Sequence, residues 1–299
     1  MSFEVIIPFL KPIEHLLTSD TVSEIMVNPD GSIWMEESGQ IQPLPAIRFD
    51  DGALQTGLEV IANRFGKKLD ADSPILNLRL PDGSRMAAMI PPVVNPQPLM
   101  TIRKFTSRNF TLADLIRVEM LTEKQAVMLT EAVREGQNIL IAGGTGSGKS
   151  TLLGTLADAI PENERILLIE DTAELHIPKP HVISTESQLD THRSNITFDD
   201  LLKAVLRHRP DRIIVGEVRG PEARTLLDAM NTGHRGTLAT IHASSAEEAV
   251  RRLAGLAIRS SVNLQLSMAE EDVQRSIDLI VYISRLSGKR RVEEIVELP

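Results

Sequence analysis

Lysine and hydroxyl side chains placed behind a run of glycines are the first sign of chemistry in this chain: residues 143–150 read GGTGSGKS. The segment fits G-x-x-x-x-G-K-[ST], follows the apolar run Ile139-Leu140-Ile141-Ala142 and precedes a leucine-rich helical stretch. A strand, a glycine loop and a helix in that order aim successive backbone N–H groups, and the positive end of the helix dipole, at a polyphosphate. Gly143, Gly144, Thr145, Gly146, Ser147 and Gly148 form the expected cradle, with Thr151 in the first helical turn. Lys149 is expected to reach the β and γ phosphates, and the Ser150 hydroxyl to ligate Mg²⁺. The expected ligand is therefore a nucleoside triphosphate, ATP with Mg²⁺.

Three further polar clusters each follow an apolar strand. Ile166–Ile169 leads into Glu170-Asp171-Thr172-Ala173-Glu174, Ile213–Val215 into Gly216-Glu217, and Leu238–Ile241 into His242. In an open parallel sheet the carboxyl ends of the strands lie along one edge, so these groups are expected to converge on the phosphates. Glu217 stands where a P-loop ATPase carries its strand-end acid, able to hold the metal's water ligands or orient the attacking water. Its plain alternative is an ion pair with Arg219. Glu170 and Glu174 form a second acidic pair, whose alternative is a helix N-terminus where acids satisfy the dipole. His234 and His242, beside Thr232 and Thr240, could contact the γ-phosphate; taken alone, each reads first as a satisfied structural histidine. Arg103, Arg193, Arg207 and Arg209 are candidates to neutralise phosphate charge, from their own subunit or a neighbour's.

Two different patterns must position these residues. Over the first hundred residues, short strand candidates at 24–27, 32–36 and 40–44, a helical apolar period over 50–64, and a hairpin of 75–80 with 85–90 describe a small α+β unit. From about Thr106, apolar strands alternate with helices of ten or more residues, the pattern of a parallel, doubly wound sheet. Thr122-x-x-Gln125, Thr197-x-x-Asp200 and Ser245-x-x-Glu248 mark helix starts, and 279–284 with 292–298 reads as a terminal hairpin. The expected domains are 1–105 and 106–299.

Composition narrows the function. The 299 residues include no cysteine, which excludes disulfides and thiolate metal sites. The net charge of −9, with seven Phe, one Trp and one Tyr, supplies neither a phosphate-backbone footprint nor a base-stacking platform, so direct nucleic-acid binding is not favoured. No signal peptide or membrane-spanning helix is expected; the longest uncharged stretch, 86–102, carries four prolines. The expectation is a soluble, cytoplasmic protein, with peripheral contact at the inner membrane left open. The opening run from Val5 to Leu10 either rests on lipid or packs against the first domain.

Together these segments resemble the secretion-ATPase superfamily that drives type II secretion, type IV pili and type IV secretion. GGTGSGKST (143–151) resembles its Walker A box, LLIEDTAEL (167–175) its Asp box, LRHRPDRIIVGEVRG (206–220) its Walker B region, and TGHRGTLATIHA (232–243) its His box. VSEIMVNPDGSIWMEESGQ (22–40) is similar to conjugative-transfer ATPases of the TrbB type, in the VirB-eleven-like branch. The resemblance implies a PAS-like N-terminal domain, a RecA-like motor and a hexameric homo-oligomeric ring that partners inner-membrane secretion or pilus proteins. It further implies Glu217 as catalytic acid, Glu170 and Glu174 as Asp-box acids, His234 and His242 as His-box members, and Arg103 as the arginine at the domain junction. Without cysteines, the tetracysteine zinc module of one branch is absent. The rival readings are a RecA-like DNA translocase or helicase and a nucleotide-gated scaffold that does not hydrolyse.

Overall fold

The computed structural model describes residues 6–37, 39–50, 52–105, 110–187, 196–260, 265–286 and 288–299. Two compact units divide the chain, Met1–Ser107 and Arg108–Pro299.

The first unit is an antiparallel sheet ordered β3-β2-β1-β6-β5-β4. Its strands are β1 (Val22–Val27), β2 (Ile33–Glu37), β3 (Gln40–Pro43), β4 (Ile75–Arg79), β5 (Arg85–Met89) and β6 (Leu99–Arg103). Residues of β4 and β5 alternate between the surface and the interior, as a sheet with one covered face requires. That face is covered by α1 (Glu14–Thr18) and α2 (Ala53–Arg64), whose Leu54, Leu58 and Ile61 pack with Ile25, Leu76, Met86 and Ile102. The opening segment joins this core: Ile6 and Leu10 are buried and Phe9 packs beside them. Gly57 permits the approach, because a Cβ there would stand 2.9 Å from the Phe9 carbonyl oxygen. Packing, not lipid contact, therefore explains the apolar opening.

The second unit is a seven-stranded sheet ordered β13-β12-β7-β11-β10-β8-β9. It comprises β7 (Ile139–Gly143), β8 (Ile166–Glu170), β9 (Val182–Glu186), β10 (Arg212–Val218), β11 (Leu238–Ile241), β12 (Leu279–Leu286) and β13 (Lys289–Glu297). All neighbours run parallel except the β12–β13 hairpin. Leu140, Leu167, Ile213, Ala239 and Ile280 face a layer made by α6 (Phe198–Val205), α7 (Glu222–Asn231), α8 (Ala246–Ala257) and α9 (Leu266–Ser276). Ile139, Ile166, Ile214, Leu238 and Val281 face α3 (Leu112–Arg117), α4 (Glu123–Arg134) and α5 (Lys149–Ala157). Both faces are covered, so the strands read as unbroken apolar runs. At roughly 1.5–3 kcal/mol for each fully buried aliphatic side chain, these two layers outweigh any single polar contact at the sheet edges.

Helix starts follow their signals. Thr111 with Asp114, Thr122 with Gln125 and Thr197 with Asp200 form complete capping boxes. Ser245 accepts from the Glu248 N–H, while the Glu248 carboxylate reaches back to Ser244 rather than to the cap residue. Helix α7 lacks a hydroxyl cap: the Glu222 carboxylate accepts from the N–H groups of Arg219 and Gly220 at 2.7 and 2.8 Å. That substitution of a side chain downstream of the start for an N-cap is why no start signal precedes α7 in the sequence.

At the amino edge of this sheet the guanidinium of Arg212, only 4 % exposed, pairs with Glu164. Two glycines make room for it, Gly136 and Gly236, both with positive φ. A Cβ on Gly236 would stand 1.9 Å from Arg212 Nη1, and the buried pairing leaves that guanidinium nowhere to go. Gly236→Ala is expected to lower stability by about 2–4 kcal/mol through breakage of a buried ion pair. Gly233→Ala has a positive φ but no atom within 4 Å of its Cβ. It should lose only about 1–2 kcal/mol of backbone strain. Denaturant unfolding of the two variants checks the difference; equal losses would mean that the Arg212 pocket is not the cause.

Candidate functional site

β7 ends at Gly143 and α5 begins at Lys149, with the glycine loop between them. Two geometric demands fix its glycines. A Cβ on Gly143 would lie 2.5 Å from the Ile283 carbonyl oxygen and 2.6 Å from Ser147 Oγ, and Gly146 and Gly148 have φ of +69° and +99°. Thr145 and Gly146 are exposed, Ser150 and Thr151 lie half-buried in the first turn of α5, and Ser147 is buried. Lys149 folds back over the loop: its Nζ donates to Gly143 O at 2.9 Å and Gly144 O at 3.0 Å. It also stands 4.0 Å from Glu217 Oε1. Burial pulls the Lys149 ammonium below the usual lysine range, and Glu217 opposes that shift.

Glu217 owes its position to an irregularity in β10. Val215 pairs with Ala239 and Val218 with Ile241, so Gly216 and Glu217 together face the single residue Thr240. In an unbroken ladder residues 215 and 217 share a face, which would drive Glu217 into the apolar layer holding Val215. The extra residue returns Val218 to that layer and leaves Glu217 outside it, the re-aiming that bulges perform beside functional sites. Thr240 Oγ1 donates to Gly216 O at 2.6 Å, satisfying a carbonyl that the bulge frees.

Beside it, Arg219 Nε donates to Glu217 Oε2 at 2.8 Å and Arg219 Nη1 to Asp171 Oδ2 at 3.2 Å. The ion-pair alternative for Glu217 and its proximity to Lys149 therefore hold together. Glu170, the last residue of β8, is 4 % exposed. Its Oε1 accepts from the N–H groups of Glu174 and Leu175 at 2.9 and 3.0 Å. Burial raises its pKa to about 7 despite those bonds, with help from Glu174 and Glu186. No helix follows β8: residues 171–181 are irregular, so the reading of these acids as helix-dipole partners does not hold. Glu174 is exposed, and its charge bears on Lys149 and Arg219.

His242 follows β11 directly, between the strand that leads into the glycine loop and the strand that carries Glu217. It is exposed, and it helps hold the nearby Glu248 carboxylate low after the larger effect of Ser244. His234 does not join the cluster. It precedes β11 at the sheet's opposite edge, about 13 Å away along a four-residue strand, with Nδ1 3.3 Å from Ala229 O. The expectation that both histidines meet the phosphates is corrected for a single protomer, because the two lie at opposite ends of one strand. Arg207 and Arg209 precede β10 at that same far edge and are exposed, so neither reaches the loop of its own chain. Arg193 lies outside the described residues.

Arg103 ends β6 in the first unit and is exposed. Its register partner is Arg85 on β5, which in turn pairs with Arg79 on β4, setting three arginines at one level across three strands. Motif spacing did not single out Arg79 or Arg85, because only the antiparallel register brings them level. Arg285 and Arg290, on β12 and β13, were missed for the same reason: Arg290 Nε donates to Gly146 O at 2.9 Å, 144 residues away along the chain.

Among the described residues no three Asp, Glu or His side chains are grouped so as to hold a metal alone.

A family model described as "Type II/IV secretion system protein" matches residues 9–291. The chain belongs to that family. It is 38 % identical over 287 residues to the conjugal transfer protein TrbB of Rhizobium radiobacter, covering 94 % of this chain and 85 % of that one. Identity to the type IV secretion system protein VirB11 of Bartonella quintana is 32 % over 332 residues, covering 97 % and 92 %. Among solved structures, the VirB11 ATPase of Brucella suis in complex with sulphate matches with TM-score 0.53 at 25 % identity, over 98 % of each chain. The Legionella pneumophila ATPase DotB shares the fold, with TM-score 0.68 at 22 % identity, over 100 % of this chain and 82 % of that one. Among the described residues no helix is long and apolar enough to cross a membrane.

The acid with the raised pKa supplies a test. Between 4.5, the ordinary glutamate value, and about 7, the folded state keeps a proton on Glu170 that the unfolded chain releases. The stability this provides is complete below the ordinary value, declines through that window and is gone above it. Glu170→Gln keeps the acceptor oxygen and removes the ionisation. It should unfold with the wild type near about pH 5 and at higher temperature by about pH 8, by at most about 3 kcal/mol. A melting-temperature difference independent of pH would show that Glu170 is not the titrating group.

Proposed function

We propose that this chain is the ATP-hydrolysing motor of a type IV secretion or conjugative-transfer apparatus. The observation that carries the reading is the meeting of Lys149 and Glu217 at 4.0 Å over a loop whose glycine geometry leaves its backbone free to cradle phosphate. Membership of the secretion family, and relatives named for conjugal transfer over most of their length, support the machine in which it works.

In this reading the β and γ phosphates of ATP replace the loop carbonyls as acceptors for the Lys149 ammonium. Ser150 and Glu217 would hold Mg²⁺, which when bound would supply positive charge to the phosphates. Glu217 orients the attacking water once Arg219 releases it, while Glu170 and Glu174 keep the opposite wall polar. Because ATP and ADP differ at the γ-phosphate, they stabilise different arrangements of the two domains, and that difference is the source of work. The arginine row containing Arg103 is the proposed source of further positive charge. Arg207 and Arg209, on the far edge, would serve only a neighbouring subunit. The assembly we propose is a cytoplasmic homo-oligomeric ring, hexameric as in the resemblance, docked on inner-membrane proteins of the apparatus.

Phosphate release and nucleotide binding on the assembled protein test this. Lys149→Ala should lose both, whereas Glu217→Gln should bind ATP within about threefold of the wild type and turn over roughly 10²–10⁴-fold more slowly. Wild-type turnover in Lys149→Ala would sink the assignment. Equal loss of binding and turnover in Glu217→Gln would reduce that residue to a structural role.

A further inference from the structure

We infer that Arg290, with Arg285 opposite it on the terminal hairpin, is a positioning residue that presets the phosphate loop for its ligand; the inference rests on the ATPase reading above. The hairpin is a fixed platform. β12 pairs with β7 over residues 279–283, the Val292 N–H donates to Met120 O at 2.9 Å, and Gln125 Nε2 reaches Val292 O at 3.4 Å. From this platform Arg290 Nε donates to Gly146 O at 2.9 Å.

The acceptor is informative. Gly146 O belongs to the same planar trans peptide as the Ser147 N–H, and the two groups point in opposite directions. A guanidinium holding the carbonyl outward therefore holds the N–H inward, where it lies 3.4 Å from Gly144 O. A charge-assisted bond also polarises that peptide, strengthening the N–H as a donor to an anion. Glycine alone permits this closeness. A Cβ on Gly148 would stand 3.3 Å from Arg290 Cδ and 3.0 Å from Met120 Cε, and one on Gly146 would stand 3.3 Å from Arg285 Nη1.

Charge placement agrees. Arg285 and Arg290 are direct register partners, an arrangement that is unfavourable by itself. The other two cations of the hairpin are occupied elsewhere, Lys289 Nζ at 2.9 Å and Arg291 Nη2 at 4.0 Å from Glu119 Oε2. The hairpin's Glu293 is bound by Ser284 at 2.7 Å. Among the described residues, neither Arg285 nor Arg290 has a carboxylate partner. Two like charges left facing each other beside the loop are relieved by the arrival of a polyphosphate, which converts a cost in the empty state into affinity in the bound one.

The experiment measures Kd for a fluorescent ADP analogue, KM and kcat for ATP by phosphate release, and the unfolding midpoint without nucleotide. Arg290→Ala should raise Kd and KM about tenfold or more, the loss expected for a charge-assisted bond, with kcat within about threefold and the midpoint unchanged. Arg290→Lys keeps the charge without the fixed fork and should recover part of the affinity. Arg285→Ala breaks no hydrogen bond and should raise Kd about threefold at low ionic strength and not at high. An unchanged Kd in Arg290→Ala, or a fall in kcat alone, overturns the inference. So does an equal loss in Arg290→Lys accompanied by a lowered midpoint, which marks a purely structural residue. If Arg290→Ala does not fold, Arg285→Ala decides: an unchanged Kd at low ionic strength overturns the inference. Nucleotide binding by the wild type and its loss in Lys149→Ala separate failure of this inference from failure of the ATPase reading.

Discussion

Taking an ammonium group out of water costs several kilocalories per mole unless its protons find acceptors, and Lys149 meets that condition with Gly143 O, Gly144 O and the nearby Glu217. The rest of the site follows from this requirement. Two carbonyls can turn toward one side chain only if the loop is tightly wound, which needs the positive φ of Gly146 and Gly148 and the missing side chain of Gly143. The loop can hold that winding only if both its ends are fixed in regular structure, β7 on one side and α5 on the other. A carboxylate reaches the same point only because β10 lies two strands from β7 and carries its extra residue there.

Polar groups gathered from four strands would repel one another without compensation. Arg219 supplies it by touching both Asp171 and Glu217, and Glu170 supplies it by holding a proton near neutrality. At the strand ends the resting charges are thus balanced, with Lys149 and Arg219 each already holding acceptors. In the proposed reading a polyphosphate would enter by exchange, as one set of oxygens replaces another around Lys149.

Much of this was legible in the sequence where a single physical rule decides. Strands covered on both faces must be continuously apolar, so β7, β8, β10 and β11 announced themselves, and the acids and His242 behind them fell on one edge of the sheet. Capping boxes at Thr122 and Thr197 were legible because three residues suffice to define them. What stayed hidden depends on register or on long-range pairing. Arg79 and Arg85 align with Arg103 only across an antiparallel sheet, and Arg285 and Arg290 reach Gly146 only because the hairpin lies beside β7. His234 was misplaced because nearness in sequence to His242 hides the length of the strand between them.

The bulge in β10 makes chain length at this point as restrictive as residue identity. Removing Gly216 would give β10 and β11 an unbroken ladder, which the sheet would accept readily. The same deletion would leave Val218 opposite Ile241 but draw the backbone that carries the carboxylate back into line with the sheet, changing its reach toward the lysine.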